Sequence, residues 1–139
     1  MAIKASVGES IKLDEHICTH IQFISSTPDD SNSRATDMAN TLILEGKVNT
    51  ADADDQTKEL AIWANKRAED PDCYKNVVGE VQGGGGKTVR EYTLPQAFVV
   101  DYKEHFDDET GVGHFRIVMR QKKDKIKETK IEGNFMKGA

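Results

Sequence analysis

ICTHIQFISSTPDDSNSRATDMANTLILEGKV, Ile17–Val48, decides the fold. Its first part alternates: Ile17, Thr19, Ile21 and Phe23 fall on one side of an extended chain, and Cys18, His20 and Gln22 on the other. Its last part, Thr41–Val48, alternates again through Leu42, Leu44 and Val48. Between them, sixteen residues, Ser25–Asn40, offer almost nothing that a core could use. A run of that length without structure of its own is uncommon in a compact domain unless it carries function or is disordered. The stretch therefore predicts two strands of one β hairpin joined by a long polar loop over residues 25–40.

Working outward, the period of two returns. Phe98, Val100, Tyr102 and Phe106 alternate with Val99, Asp101, Lys103 and His105; Phe115, Ile117 and Met119 alternate with His114, Arg116, Val118 and Arg120. The segment between, Asp107–Gly113, holds Asp, Thr and two Gly, which suit a hairpin connection. Tyr74–Gln82 and Thr88–Leu94 read as two more strands around Gly83–Lys87, the second ending or kinking at Pro95. One segment breaks the pattern. Over residues 53–68, Leu60, Ala61, Trp63, Ala64 and Ala68 recur at helical spacing, Asp52, Asp54 and Asp55 crowd the start, and Pro71 follows. The expectation is a mainly β protein, an antiparallel barrel or sandwich with one packed α-helix, forming a single domain over residues 1–139 with Met1–Ala2 and Met136–Ala139 frayed.

Bulk properties narrow the function. The chain has 139 residues, 37% hydrophobic, 31% charged, with a net charge of −5. General nucleic-acid binding is not expected, because phosphate neutralisation requires a basic excess; the one basic run, Arg120–Lys130, is interrupted by Asp124 and Glu128. No apolar stretch approaches the ~20 residues that cross a bilayer, and the first residues lack the blocks of a signal peptide. Membrane insertion is not expected, and synthesis in the cytoplasm is. Cys18 and Cys73 are too far apart for a CxxC pair and read as reduced thiols.

No motif points to catalysis or to a cofactor. GGGGKT, Gly83–Thr88, resembles the end of a phosphate-binding loop, but the required earlier glycine is Val81 and a strand follows where a helix N-terminus is needed. His16 and His20 would sit ~13 Å apart on a strand, too far for one metal. His105 and His114 flank the late hairpin with no third ligand to complete a set. Asp107, Asp108 and Glu109 crowd a solvated turn too short for a calcium loop. No GxSxG elbow is present. The protein is not expected to be an enzyme.

What remains is a β protein with ample sheet edge, which needs cover, charge or a partner. In its order of elements the chain resembles the hemolysin-coregulated protein (Hcp) of type VI secretion, similar in fold to phage tail tube proteins. YTLPQAFVVDYKEHF, Tyr92–Phe106, with GHFRIVMRQKK, Gly113–Lys123, resembles the family's late hairpin. HIQFISSTPDDSNSRATDMANTLILEGKV, His20–Val48, resembles its strand, extended loop and strand, and the Leu60–Ala68 helix falls in the corresponding place. The resemblance implies a subunit of hexameric rings stacked as the inner tube of a contractile injection machine, in a secretion system, phage tail or phage-tail-like particle. Its partners would be further copies of itself, sheath, baseplate or tip proteins, and effector cargo, and it would leave the cell as part of the particle. Carried over, Ser26, Thr27, Pro28, Asp29, Asp30, Ser31, Asn32, Ser33 and Arg34 would form the arm that contacts the neighbouring ring. Cys18, His20 and Gln22, with Glu45 and Lys47, would line the lumen, since the opposite sides are needed for the core.

Two other readings of the same residues stand beside this one. A small β-barrel acting as a monomeric binding module accounts for the strands, and a small hydrolase would have to use His20, His105 or Cys18 outside any recognised motif. The loop's Ser, Asp, Asn and Thr also suit a plain surface loop.

Overall fold

The computed structural model describes residues 1–27, 38–48, 55–121 and 123–136. Its centre is the hairpin that the alternation predicts. β3, Cys18–Ser26, pairs antiparallel with β4, Ala39–Val48, in a register that sets Ile21 against Leu44 and Phe23 against Leu42. Pairing continues past the expected strand ends to Ser26 opposite Ala39, so both strands run into the predicted loop; residues 28–37 lie outside those described.

β4 pairs in turn with β7, Val112–Gln121, and β7 with β6, Lys87–Asp107. The turn between β6 and β7, Asp108–Gly111, is tied by Asp107, whose carboxylate accepts from the Glu109 N–H at 3.0 Å. β6 also pairs through its first half with β5, Lys75–Gln82. The Gly-rich connection between β5 and β6 closes with the Gly83 N–H donating to the Lys87 carbonyl, and Gly85 and Gly86 take φ of 72° and 77°, a region open to glycine at little cost. A strand follows it, as the failed phosphate-loop reading requires.

Two short strands open the chain: β1, Ala2–Val7, and β2, Ile11–Leu13, joined through Gly8. Ala2 pairs with Gln82 of β5, so the expected fraying there is replaced by a ladder. At the other end, β8, Lys130–Glu132, and β9, Phe135–Met136, lie along the first half of β6. Met136 pairs with Lys87, and residues 137–139 lie outside those described. The sheet order is β2-β1-β5-β6-β7-β4-β3.

β6 is the piece that makes two layers of this sheet. Pro95 does not end it. With Gln96 it forms a bulge: Val77 faces Leu94 and Lys75 faces Ala97, leaving two residues opposite Asn76. Proline cannot donate to the ladder, Gln96 takes a φ of 56°, and its N–H is satisfied by the Asn76 side-chain oxygen at 3.0 Å. The strand turns there, and the sheet folds back on itself as a sandwich instead of closing as a barrel. Phe23 of β3 stacks on Tyr92 of β6 with ring centroids 4.8 Å apart. A methyl group added at Gly79 of β5 would lie 2.6 Å from Cδ1 of Ile21, so the two layers are in close contact there.

The core between the layers holds Val7, Leu13, Leu42, Leu44, Val77, Leu94, Ile117 and Met119. One end is covered by α1, Gln56–Ala64, which buries Leu60 and Trp63; the indole N–H donates to the Cys73 carbonyl at 2.8 Å. Asp55 caps the helix by accepting from the Thr57 N–H, while Asp52, Ala53 and Asp54 lie outside the described residues. The helix stops at Ala64 instead of Ala68. The N–H of Asn65 is shared by the carbonyls of Ala61 and Ile62, and Ala68 is exposed, so no burial holds a further turn.

Candidate functional site

The strand layer β6-β7-β4-β3 has two faces. One faces the core. The other is exposed, and cross-strand register orders its side chains into rows. His20 of β3, Glu45 of β4, Arg116 of β7 and Lys103 of β6 form one row; Lys47, His114 and His105 form the next. A third sets Gln22 beside Ile43, Val118 and Asp101. Arg116 Nε lies 3.9 Å from Glu45, and Lys103 Nζ lies 3.8 Å from Asp101. Both pairs are half in solvent and are worth about 0–1 kcal/mol each, so they arrange the face more than they stabilise it. His20, Gln22, Ile43 and Glu45 also line a hollow of 250 Å³ with the edge residue Ile21.

Four of the five residues expected on one exposed side are therefore together: His20, Gln22, Glu45 and Lys47. Cys18 is not among them. A register shift lies between Cys18, opposite Gly46, and His20, opposite Glu45, and the extra residue, Thr19, turns outward and donates its hydroxyl to the Glu45 carbonyl. The bulge rotates Cys18 into the core, where it is 5% exposed and its thiol lies 3.8 Å from the Leu13 carbonyl. Burial, with a smaller contribution from Asp14, pushes that thiol up to about 12. A buried thiol of this kind is a poor nucleophile. Gly46 permits the bulge, because any side chain at that position would collide with the Ile17 carbonyl and the Phe115 ring.

Sequence alternation treats residues 17–23 as one regular strand and carries no sign of the extra residue. A glycine inside an apolar strand was the available signal. The register also adds His105, His114, Lys103 and Arg116 to this face, which strand-by-strand reading does not assemble.

The layer also has two open edges. Among the described residues, β3 has a strand on one side only, and β6 beyond Ala97 pairs with β7 on one side and with no strand on the other. Beside that second edge runs a groove of 630 Å³ between α1 and residues Val99–Tyr102, with Ile62 and Val100 exposed at its rim. Val100 is the extra residue of a second bulge in β6. Tyr102 donates its hydroxyl to the Glu104 carboxylate at 2.6 Å, and burial, helped by that bond, raises its phenol above the ordinary range.

Of the expected contact arm, Ser26 and Thr27 lie at and just beyond the end of β3, Ser26 exposed and Thr27 half-buried; Pro28, Asp29, Asp30, Ser31, Asn32, Ser33 and Arg34 lie outside the described residues. Among the described residues no group of three or more His, Cys, Asp or Glu is placed to hold a metal ion, and no helix is long and apolar enough to cross a membrane. His105 and His114 face each other across the hairpin, and His16 sits apart in the turn before β3.

A two-layer sandwich folded about one bulged strand, with a helix over one end, is matched nearly end to end by solved structures. Hcp1 from Flavobacterium johnsoniae superposes with a TM-score of 0.64 at 17% identity, over 96% of this chain and 97% of that one. This chain has the Hcp-like tube fold. Hcp1 from the E. coli EAEC 042 pathovar matches with a TM-score of 0.59 at 8% identity, over 96% of this chain and 99% of that one. A chain of the PVC extracellular contractile injection system, in its extended sheath-tube complex, gives 0.57 at 12% identity, over 95% and 88%. These are structural proteins of tubes, not enzymes. No family model matches the sequence, and no curated protein matches it.

Proposed function

We propose that this chain is a subunit of a hexameric ring, and that the rings stack as the inner tube of a contractile injection machine. The observation that carries the proposal is the layer β6-β7-β4-β3 with an open edge at each end. Each strand in it is antiparallel to its neighbour, so β6 and β4 run one way and β7 and β3 the other. Setting β3 of one copy beside the second half of β6 of the next continues the antiparallel order. Such a head-to-tail contact uses two different surfaces, and it closes into a ring when the rotation per copy divides a full turn. The unpaired backbone groups of both edges are then satisfied, and the exposed Ile62 and Val100 beside the β6 edge gain cover.

The same arrangement orients the face. The second layer and α1 lie behind the core, and this bulk fits only on the wider circumference. The rows containing His20, Gln22, Glu45 and Lys47 would then line the lumen, with Cys18 withdrawn from them. β3 and β4 lead into residues 27–38 at one end of the layer, and the Asp108–Gly111 turn marks the opposite end. Ser26–Arg34 would accordingly reach the next ring along the axis. Sheath, baseplate or tip proteins and exported cargo follow as partners, and export with the particle as the destination.

Electron microscopy of the purified protein tests this. Rings with a central hole and stacked tubes are expected for the parent chain. Deleting Thr27–Arg34 should leave rings that no longer stack. A monomer at every concentration overturns the ring, and stacked tubes from the deletion variant overturn the arm.

A further inference from the structure

The exposed rows carry a charge that differs from the rest of the molecule. Lys47, Lys103 and Arg116 stand there against Glu45 and Asp101, with Arg120 in the row beyond, between Thr41 and Phe98, on a chain whose net charge is −5. Both carboxylates are already matched, Glu45 with Arg116 and Asp101 with Lys103. Among the described residues, the one further carboxylate on this side of the four strands, Asp107, is at the rim and caps the turn. Three of the four histidines of the chain, His20, His105 and His114, are exposed in the same rows. His114 lies between Lys47 on β4 and His105 on β6, with Arg116 next on its own strand's face; His105 has Lys103 and Asp107 on its own strand. His20 faces Glu45, and its Nδ1 lies 3.0 Å from the Thr19 hydroxyl.

We infer that this face binds an acidic polypeptide, and that it does so more tightly at mildly acid pH. The charge excess supplies the complementarity, and histidine is the side-chain type that takes up a proton on mild acidification, so the face gains cations where an acidic partner is still ionised. A nucleic acid fits less well. Channels for single strands combine close-set cations with a series of stacking aromatic rings, whereas these rows space their cations with carboxylates and hold one ring, Phe98 opposite Arg120 at their end, which already packs edge-on against Tyr74. The inference rests on the ring reading for one thing, that the face is displayed around a lumen and its charge is repeated by every subunit.

The test is binding of fluorescent poly-L-glutamate to the full chain by anisotropy, with poly-L-lysine and a single-stranded oligonucleotide of similar length as alternatives. Polyglutamate should bind at about pH 7.5, about tenfold more tightly at about pH 5.5, and weakly in high salt. Lys47→Glu should weaken binding at both pH values. Replacing His20, His105 and His114 together by Gln should remove the gain at acid pH and leave the binding at pH 7.5, while His16→Gln, away from the face, should keep the gain. The inference is overturned if polyglutamate does not bind, if polylysine binds equally, if the triple variant keeps its gain, or if the oligonucleotide binds more tightly. Microscopy of the same samples separates the two claims: binding by a monomer retains the acidic partner and removes the ring, while rings that ignore polyglutamate do the reverse.

Discussion

The two halves of β6 belong to one strand and meet opposite conditions. Lys87–Leu94 has β5 along one edge and β8 and β9 along the other, so its backbone groups are satisfied within the chain. Phe98–Asp107 has β7 on one side and, among the described residues, no strand on the other. The first half serves the fold. The second is folded on one edge and left available on the other, and the bulge at Pro95 and Gln96 is where the change occurs. Stability and assembly should therefore separate along this strand.

The largest effect should come from the closed half. Leu94 is fully buried, and Leu94→Ala should cost about 2–5 kcal/mol through lost burial and the cavity left behind; urea denaturation measures it. A cost below 1 kcal/mol would mean that the first half is not the core of the fold. Cys18 tests the open-edged strand β3, whose other face is packed. Its folded thiol is raised from 9.0 to about 12, so the folded state holds a proton that the unfolded chain releases first. Stability should be level below about pH 8.5 and fall by up to about 1.4 kcal/mol per unit above it, toward pH 12. Tyr102 should add to the fall above pH 10, and Cys18→Ala should flatten its early part. Asn76→Ala, which deprives the Gln96 N–H of its acceptor, should cost about 1 kcal/mol. The smallest change in stability belongs to the open half: Val100, 44% exposed, should tolerate Lys within about 0.5 kcal/mol. In a ring, the same substitution should abolish assembly, because it sets an unpaired charge beside the joining edge. A variant with both its stability and its rings intact would place the contact elsewhere.

The sequence made the regular parts legible and left the irregular ones hidden. Alternation locates β3, β4, β6 and β7 because each has one buried face, and helical spacing finds Leu60 and Trp63. It fails at bulges, since one extra residue reverses every side chain beyond it; alternation alone sets Cys18 beside His20 and Gln22, whereas the bulge at Thr19 turns it into the core. β1 and β2 are too short for alternation to stand out, though Ile11 and Leu13 flank Lys12 in the right order. Pro95 announced a disturbance, but its nature depended on Asn76, which lies nineteen positions earlier and can only be paired with it once the register is known. The exposed rows were half visible for the same reason. Composition along one strand shows His20 and Gln22, while Arg116 and Lys103 join them only through pairing.

Because a single strand belongs to both layers, neither can come apart without loosening a ladder of the other. Leu94 and Tyr102 are on the same backbone, on either side of the bulge; Leu94 lies in the common core and Tyr102 packs against it. The protein should thus unfold in one cooperative transition, with amide protection in β4 and β7 lost together with that in β5, and not as two units of different stability.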